Sequence, residues 1–277
     1  MTVAADALAF LSLEITGRCQ LRCAHCYANS GPTGAHGAMT RAEWSRVLDE
    51  AAAIGVRRVQ LIGGEPTLHP EFAELVRYAL RQCLDVEVFS NLARPFPAEL
   101  WALFGLPGVR LATSYHSDDP AEHDAITGGR RSHERTLGNI REALRRGITI
   151  RAGVIAMRPG QRARAAVEQL RALGVSQVDY DELRQLGRGV RDREPNAVDQ
   201  LCGSCGDRRL AVSPSDDVWP CPMSRWMVLG NVARSSLASI YEDSAERRRQ
   251  LQVEMHTFGD NDGGCTAPLC CNPAISD

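Results

Sequence analysis

The sequence predicts an α/β protein: a partial (β/α)6 TIM-type barrel followed by a small cysteine-rich extension, a β-hairpin plus a helix. Two observations carry this. Over the first two thirds of the chain, short apolar runs alternate six times with amphipathic helical stretches, the pattern of parallel strands joined by crossover helices. Across residues 187–195 that periodicity lapses into charge and glycine, and six of the ten cysteines follow. The expected units are residues 1–190 and 191–277.

Residues 9–15 read as the first strand. Thr40 is placed to cap a helix, with Glu43 three residues on completing a capping box ahead of Trp44, Val47, Leu48, Ala51 and Ala52. Residues 56–62 form the second strand, stopped by Gly63-Gly64. A helix over 70–82 ends near Cys83, which reads as a packing residue, and the third strand follows at 85–90. Helices over 97–104 and roughly 132–146 flank the fourth strand at 109–115. The fifth strand spans 149–157, a helix 161–173 and the sixth strand 177–183. Right-handed crossovers curl such a sheet towards a barrel and place chemistry at the carboxyl ends of its strands. The loop holding Cys19, Cys23 and Cys26, the run Gly63-Gly64-Glu65-Pro66, the pair Ser90-Asn91 and Ser114 all fall at such ends.

Composition narrows the function classes. At 277 residues, with 44% hydrophobic and 24% charged residues, the chain has the balance of a globular protein. A formal net charge of −2 leaves no electrostatic footprint for nucleic acid or an anionic membrane. No apolar run is long enough to cross a bilayer, and the start lacks the basic region of an export signal. A cytoplasmic location is the expectation. There thiols stay reduced, so the cysteines read as two metal-binding regions rather than a disulfide framework.

Cys19, Cys23 and Cys26 stand in the spacing C-x3-C-x2-C. Three thiolates so placed can each hold one iron of a cubane [4Fe–4S] cluster and leave the fourth iron open, which is the mark of a reactive site. On a helix the same positions would share one face as a buried stripe. Gln20, Arg22 and His25 interrupt the apolar run and Gly17 argues for a loop, so the cluster reading is preferred. The segment from Glu14 to Tyr27 resembles the signature of the radical S-adenosylmethionine (radical SAM) enzymes. That resemblance implies an open iron binding the amino and carboxylate groups of SAM, and an electron that cleaves SAM to a 5′-deoxyadenosyl radical.

It also implies a SAM pocket. Gly63, Gly64, Glu65 and Pro66 look like the motif whose backbone and acid contact the SAM amino group. His25 occupies the aromatic position beside the adenine, and Ser114 and Arg135 look like the pair that holds the carboxylate, with Asn91 nearby. Each has a plainer fate: His25 as a loop tip, Arg135 as one more exposed arginine of a basic helix. Tyr115, His116, Asp118, Asp119 and His123 read as pocket shaping rather than metal binding.

In the tail, Cys202-Gly-Ser-Cys205 precedes a hairpin around 210–212 and 218–219, then Pro220-Cys221, Gly230-Asn231 and a helix start at 236–240. This is similar to the SPASM or twitch extension, which implies at least one auxiliary [4Fe–4S] cluster. The pattern departs from it where Asp216 stands for a hairpin glycine, and Cys265, Cys270 and Cys271 do not reproduce its last cysteine run. Six cysteines cannot supply eight ligands. The expectation is one complete cluster on Cys202, Cys205, Cys221 and Cys270, with Cys265 and Cys271 left for a partly open second cluster or, for Cys271, a catalytic hydrogen donor. A four-thiolate zinc site fits the same ligand types.

The resemblance ranks modification of a ribosomally made peptide first, by crosslinking or epimerisation. A reductant such as flavodoxin or ferredoxin would feed the cluster. About ten residues precede the first strand, too few for a fused leader-recognition domain, so a separate recognition protein or direct binding of the peptide is expected. The alternatives are a dehydrogenase of a small alcohol, sugar or aminocyclitol, and a redox-sensing iron–sulfur protein without turnover.

Overall fold

The computed structural model describes residues 7–194 and 196–257. Six parallel strands are laid down in chain order: β1 (Phe10–Thr16), β2 (Arg58–Gly63), β3 (Asp85–Phe89), β4 (Val109–Tyr115), β5 (Ile150–Ala156) and β6 (Gln177–Glu182). The helices between them are α1 (Arg41–Ala53), α2 (Phe72–Arg81), α3 (Ala98–Phe104), α4 (Pro120–Thr127), α5 (Ser132–Arg145) and α6 (Ala163–Ala172). The sheet does not close, so the expected partial barrel is what forms. The Thr40–Glu43 capping box is present in full, and Trp44, Val47, Leu48 and Ala51 of α1 are buried on one face. α4 was not read from the sequence, although Asp119 caps it by accepting from Glu122 N (2.8 Å) and Pro120 opens its first turn.

The hairpin forms as β7 (Arg209–Val212) and β8 (Asp217–Trp219), followed by β9 (Gly230–Asn231), α7 (Leu237–Asp243) and α8 (Ala245–Thr257). Asp216 takes φ +69, so it fills the left-handed position that a glycine would hold. β7 continues the barrel sheet, pairing in parallel with β1 from Phe10↔Arg209 to Leu13↔Val212. The nine strands therefore run in the order β6-β5-β4-β3-β2-β1-β7-β8-β9.

Inside the barrel a polar ladder crosses the sheet at one level. Ser12, Gln60 and Glu87 are register partners on adjacent strands, and Ser12 Oγ donates to Gln60 Oε1 (3.1 Å) while Gln60 Nε2 donates to Glu87 Oε1 (2.7 Å). Arg151 closes the row from β5 with two bonds to Glu87, of 2.9 and 2.7 Å. One level higher, fully buried Glu14 is paired by Arg225, whose guanidinium lies 4.6 Å from the Trp219 ring centroid. Burial raises the Glu14 carboxyl above its ordinary value, against the pull of Arg225. Among the described residues no helix is long and apolar enough to cross a membrane.

Candidate active site at the carboxyl ends of the strands

β1 ends at Thr16, and residues 17–31 then run as an irregular loop. The loop is tied at several points: Gly17 N donates to Ala35 O (2.9 Å), Cys19 N to Gly31 O (3.0 Å), Arg22 N to Thr127 O (3.1 Å) and Ala24 N to Ile126 O (2.9 Å). No helix forms here, so the three cysteines make no buried stripe. They line a single cavity of about 710 Å³, its open mouth included.

Cys19 is buried, and its sulfur accepts from Leu21 N (3.4 Å) and Asn91 Nδ2 (3.5 Å). Burial pushes the Cys19 and Cys23 thiols up to about 12, and the neighbouring cysteines push the same way. Thiolates this crowded need a bound cationic group to be ionised together. A cubane takes one thiolate per iron, so its ligands stand around a volume rather than a point. Among the described residues no three His, Cys, Asp or Glu side chains converge on a single metal ion. The donor set fits an iron–sulfur cluster.

Several of the expected SAM residues share the cavity wall: His25, Gly63, Gly64, Asn91 and Ser114. Gly64 N donates to Thr16 O (2.7 Å), which draws the glycine turn against the start of the cysteine loop. A Cβ at Gly64 would stand 2.3 Å from Arg18 O and 3.0 Å from Cys19 Cβ. Gly64→Ala is therefore expected to displace Cys19 and weaken iron binding about tenfold or more, read as iron retained per chain after exposure to a chelator.

Glu65, Pro66 and Arg135 are not brought to the wall. Pro66 is buried at the start of a 3-10 turn. The Glu65 carboxylate is fully buried and accepts from Thr67 Oγ1 (2.6 Å), Ser90 Oγ (2.8 Å) and Asn91 N (2.9 Å), so it pins the end of β3 to the turn after β2. Arg135 is exposed and reaches only Arg130 O, at 3.5 Å; the next residue, Thr136, faces the cavity and donates to Asn91 O (2.9 Å).

The polar stretch after β4 divides. Tyr115 is buried, donating to Gln169 Oε1 (2.7 Å), and Asp118 pairs with Arg162. His116 and His123 turn inward and line the cavity with His25. The His25 and His116 rings meet edge to face with centroids 4.6 Å apart, and His116 lies 5.3 Å from His123. Burial lowers all three imidazoles, His25 and His123 to about 4 and His116 well below its ordinary value. They are neutral near pH 7, and the Nδ1 of each is buried with no hydrogen-bond partner among the described residues.

In the extension, the Cys205 and Cys221 sulfurs lie 2.7 Å apart in a buried pocket, and Cys202 joins them. Hydrogen bonding with those two thiols raises Cys205 well above the ordinary thiol range. Cys265, Cys270 and Cys271 lie outside the described residues.

Comparison with known families decides between the readings of this site. Residues 13–173 match the model of the radical SAM superfamily. The chain belongs to the radical SAM superfamily. Residues 190–271 match SPASM, an iron–sulfur cluster-binding domain, so the tail is of the iron–sulfur rather than the zinc type. Membership brings a [4Fe–4S] cluster and SAM to the barrel and auxiliary iron–sulfur binding to the tail.

Among curated relatives of this radical SAM chain, the antilisterial bacteriocin subtilosin biosynthesis protein AlbA of Bacillus subtilis is 24% identical over 265 residues, covering 83% of this chain and 58% of AlbA. A PqqA peptide cyclase of Ruegeria pomeroyi is 36% identical over 155 residues, covering 54% of this chain and 40% of the cyclase. The chain thus spans 58% and 40% of the lengths of these two relatives. Streptococcus suis SuiB bound to its precursor peptide SuiA shares the fold, with a TM-score of 0.64 at 14% identity over 88% of this chain and 66% of SuiB.

Proposed function

We propose that this chain is a radical SAM enzyme that modifies a ribosomally synthesised peptide. The observation that carries the reading is similarity over 83% of the chain, barrel and tail together, to a bacteriocin biosynthesis protein. Similarity to a PqqA peptide cyclase over 54% of the chain adds weight.

In this reading residues 1–190 form the SAM-cleaving unit and 191–277 the auxiliary unit. Cys19, Cys23 and Cys26 hold the first cluster. Bound there with SAM, the cluster supplies the electron that generates the hydrogen-abstracting radical. The bare backbone at Gly63 and Gly64 lets the amino end of SAM approach the sheet, Asn91 orients Cys19 by donating to its sulfur, and Ser114 offers a hydroxyl to the carboxylate, while the Thr136 hydroxyl holds Asn91 O. His25 supplies a flat ring face for the adenine. The neutral rings of His116 and His123 line the same cavity, where a peptide carbonyl or amide can be bound. Cys202, Cys205 and Cys221 hold the auxiliary cluster. Cys270 is its expected fourth ligand, and Cys265 and Cys271 keep the roles expected from the sequence.

The test is anaerobic incubation of the iron-loaded chain with SAM, dithionite or flavodoxin, and candidate precursor peptides, with and without a recognition protein. The expected result is 5′-deoxyadenosine together with a peptide that has lost hydrogen or taken up solvent deuterium at one carbon. Turnover only with a small alcohol or sugar would replace the peptide reading by the dehydrogenase. A chain that binds its clusters and forms no 5′-deoxyadenosine under any condition would be a sensor.

A further inference from the structure

The glycine- and charge-rich run after β6, where the sequence places the boundary between its two units, lies against the cysteine loop. Gly187–Gly189 form a 3-10 turn. Arg188 N donates to Cys26 O (3.1 Å), its Nε to Cys23 O (2.9 Å) and its Nη2 to Ser30 O (2.7 Å). One residue thus binds three carbonyls spread over the cysteine loop. The flanking glycines permit it. Gly187 takes φ +54, and a Cβ there would stand 2.4 Å from Tyr27 O and 2.6 Å from Cys26 O. A Cβ at Gly189 would stand 2.7 Å from Arg184 O.

Resting on the cluster reading above, we propose that Arg188 is a positioning residue: its guanidinium fork staples the Cys23 and Ser30 carbonyls, so that the cluster loop is held in its binding shape by the segment after β6. Between Cys19 and Ser30 the loop has few backbone bonds of its own, among them Cys26 N to Cys23 O (3.3 Å) and Asn29 N to Cys26 O (3.2 Å). A carbonyl oxygen can accept twice, and the planar fork adds a second donor to Cys23 O while also serving Ser30 O from the same anchor. A lysine is a single point donor and cannot bridge both. Arg188 lines the cavity with the three cysteines, so the staple sits on the cavity side of the loop rather than behind it.

The full chain, reconstituted anaerobically, is compared with R188K, R188M and G187A. Only a cluster with an open iron changes its electron paramagnetic resonance signal when SAM is added, so that signal reports the barrel cluster apart from the auxiliary one. The readout is the rate at which the SAM-responsive signal and its iron are lost to a ferrous chelator, beside auxiliary iron and the thermal melt by circular dichroism. The expected result is loss about ten- to a hundredfold faster in R188K and R188M, the range for removal of an outer partner of a metal ligand, with auxiliary iron and melting unchanged. G187A, which disturbs the segment and leaves the arginine in place, is expected to behave alike. Wild-type retention in R188M would overturn the staple, as would full rescue by R188K, which would reduce the role to charge. Equal loss of auxiliary iron in R188M would overturn it too, since the effect would then belong to the whole fold. A wild-type chain with no SAM-responsive signal would bring down the cluster reading itself and the staple with it.

Discussion

Cys23→Ala is expected to abolish the SAM-responsive cluster signal and cut 5′-deoxyadenosine formation by at least about a hundredfold, beyond what removal of an outer partner costs a metal site. Cys23 lies in the middle of the loop, among three thiols that line one cavity. Losing one leaves two irons with protein ligands where three are needed, and the freed iron is open to solvent and oxidant. Auxiliary iron on the tail is expected to remain, because Cys205 and Cys221 sit in a separate apolar cluster with Leu201, Met227 and Leu251. Iron and sulfide per chain, measured with and without SAM beside the spectra, check both halves. Cys83→Ala is the control: expected to pack, that residue is instead exposed just beyond the end of α2, and its loss is expected to change neither quantity. A Cys23→Ala chain with an undiminished SAM-responsive signal would end the assignment of this loop.

Arg151→Met is expected to destabilise the barrel by about 3–5 kcal/mol, the cost of leaving a buried charge without its partner. Glu87 is fully buried and Arg151 nearly so. Burial alone would raise the Glu87 carboxyl, but the charge and hydrogen bonds of Arg151, helped by Gln60, outweigh it and hold the group below its ordinary value. A carboxyl lowered in the fold contributes stability that is present above its unfolded value and lost as pH falls through the folded one. In Arg151→Met the balance reverses: burial raises Glu87, and acidification then relieves the fold. The gap between wild type and variant is therefore expected to narrow from pH 7 to pH 5. Glu14 and Glu65, which burial raises, titrate in both proteins and cancel in the difference. Denaturant midpoints at the two pH values decide it, and a gap that widens on acidification would refute the account.

The strands, the helix caps and the cysteine spacing were legible because each is a local pattern. Short apolar runs gave the six strands to within two residues at each end, and Thr40 and Glu43 form the expected capping box. α4 was legible in principle from Asp119 and Pro120, but Asp118, Asp119, Glu122 and Asp124 masked its short buried face of His123, Ile126 and Thr127. What could not be read was which way neighbouring side chains turn. Arg135 and Thr136 differ by about 100° around α5, and only the seat of that helix on the sheet sends the threonine to the cavity and the arginine to solvent. Likewise Glu65, one residue beyond two cavity glycines, meets donors from Ser90 and Asn91 some 25 residues away and turns into the protein.

The order of the β/α units, the three-cysteine loop at the end of β1 and the metal-binding character of both ends follow from the sequence by itself, because period and spacing are properties of neighbouring residues. Tertiary structure alone decided that β7 extends the sheet beside β1, that three histidines from two loops and a helix share one wall, and that Gly187-Arg188-Gly189 rests on the cysteine loop instead of linking two halves. Those contacts join residues up to about 200 positions apart. Their energies come from packing and hydrogen-bond partners that no local pattern encodes.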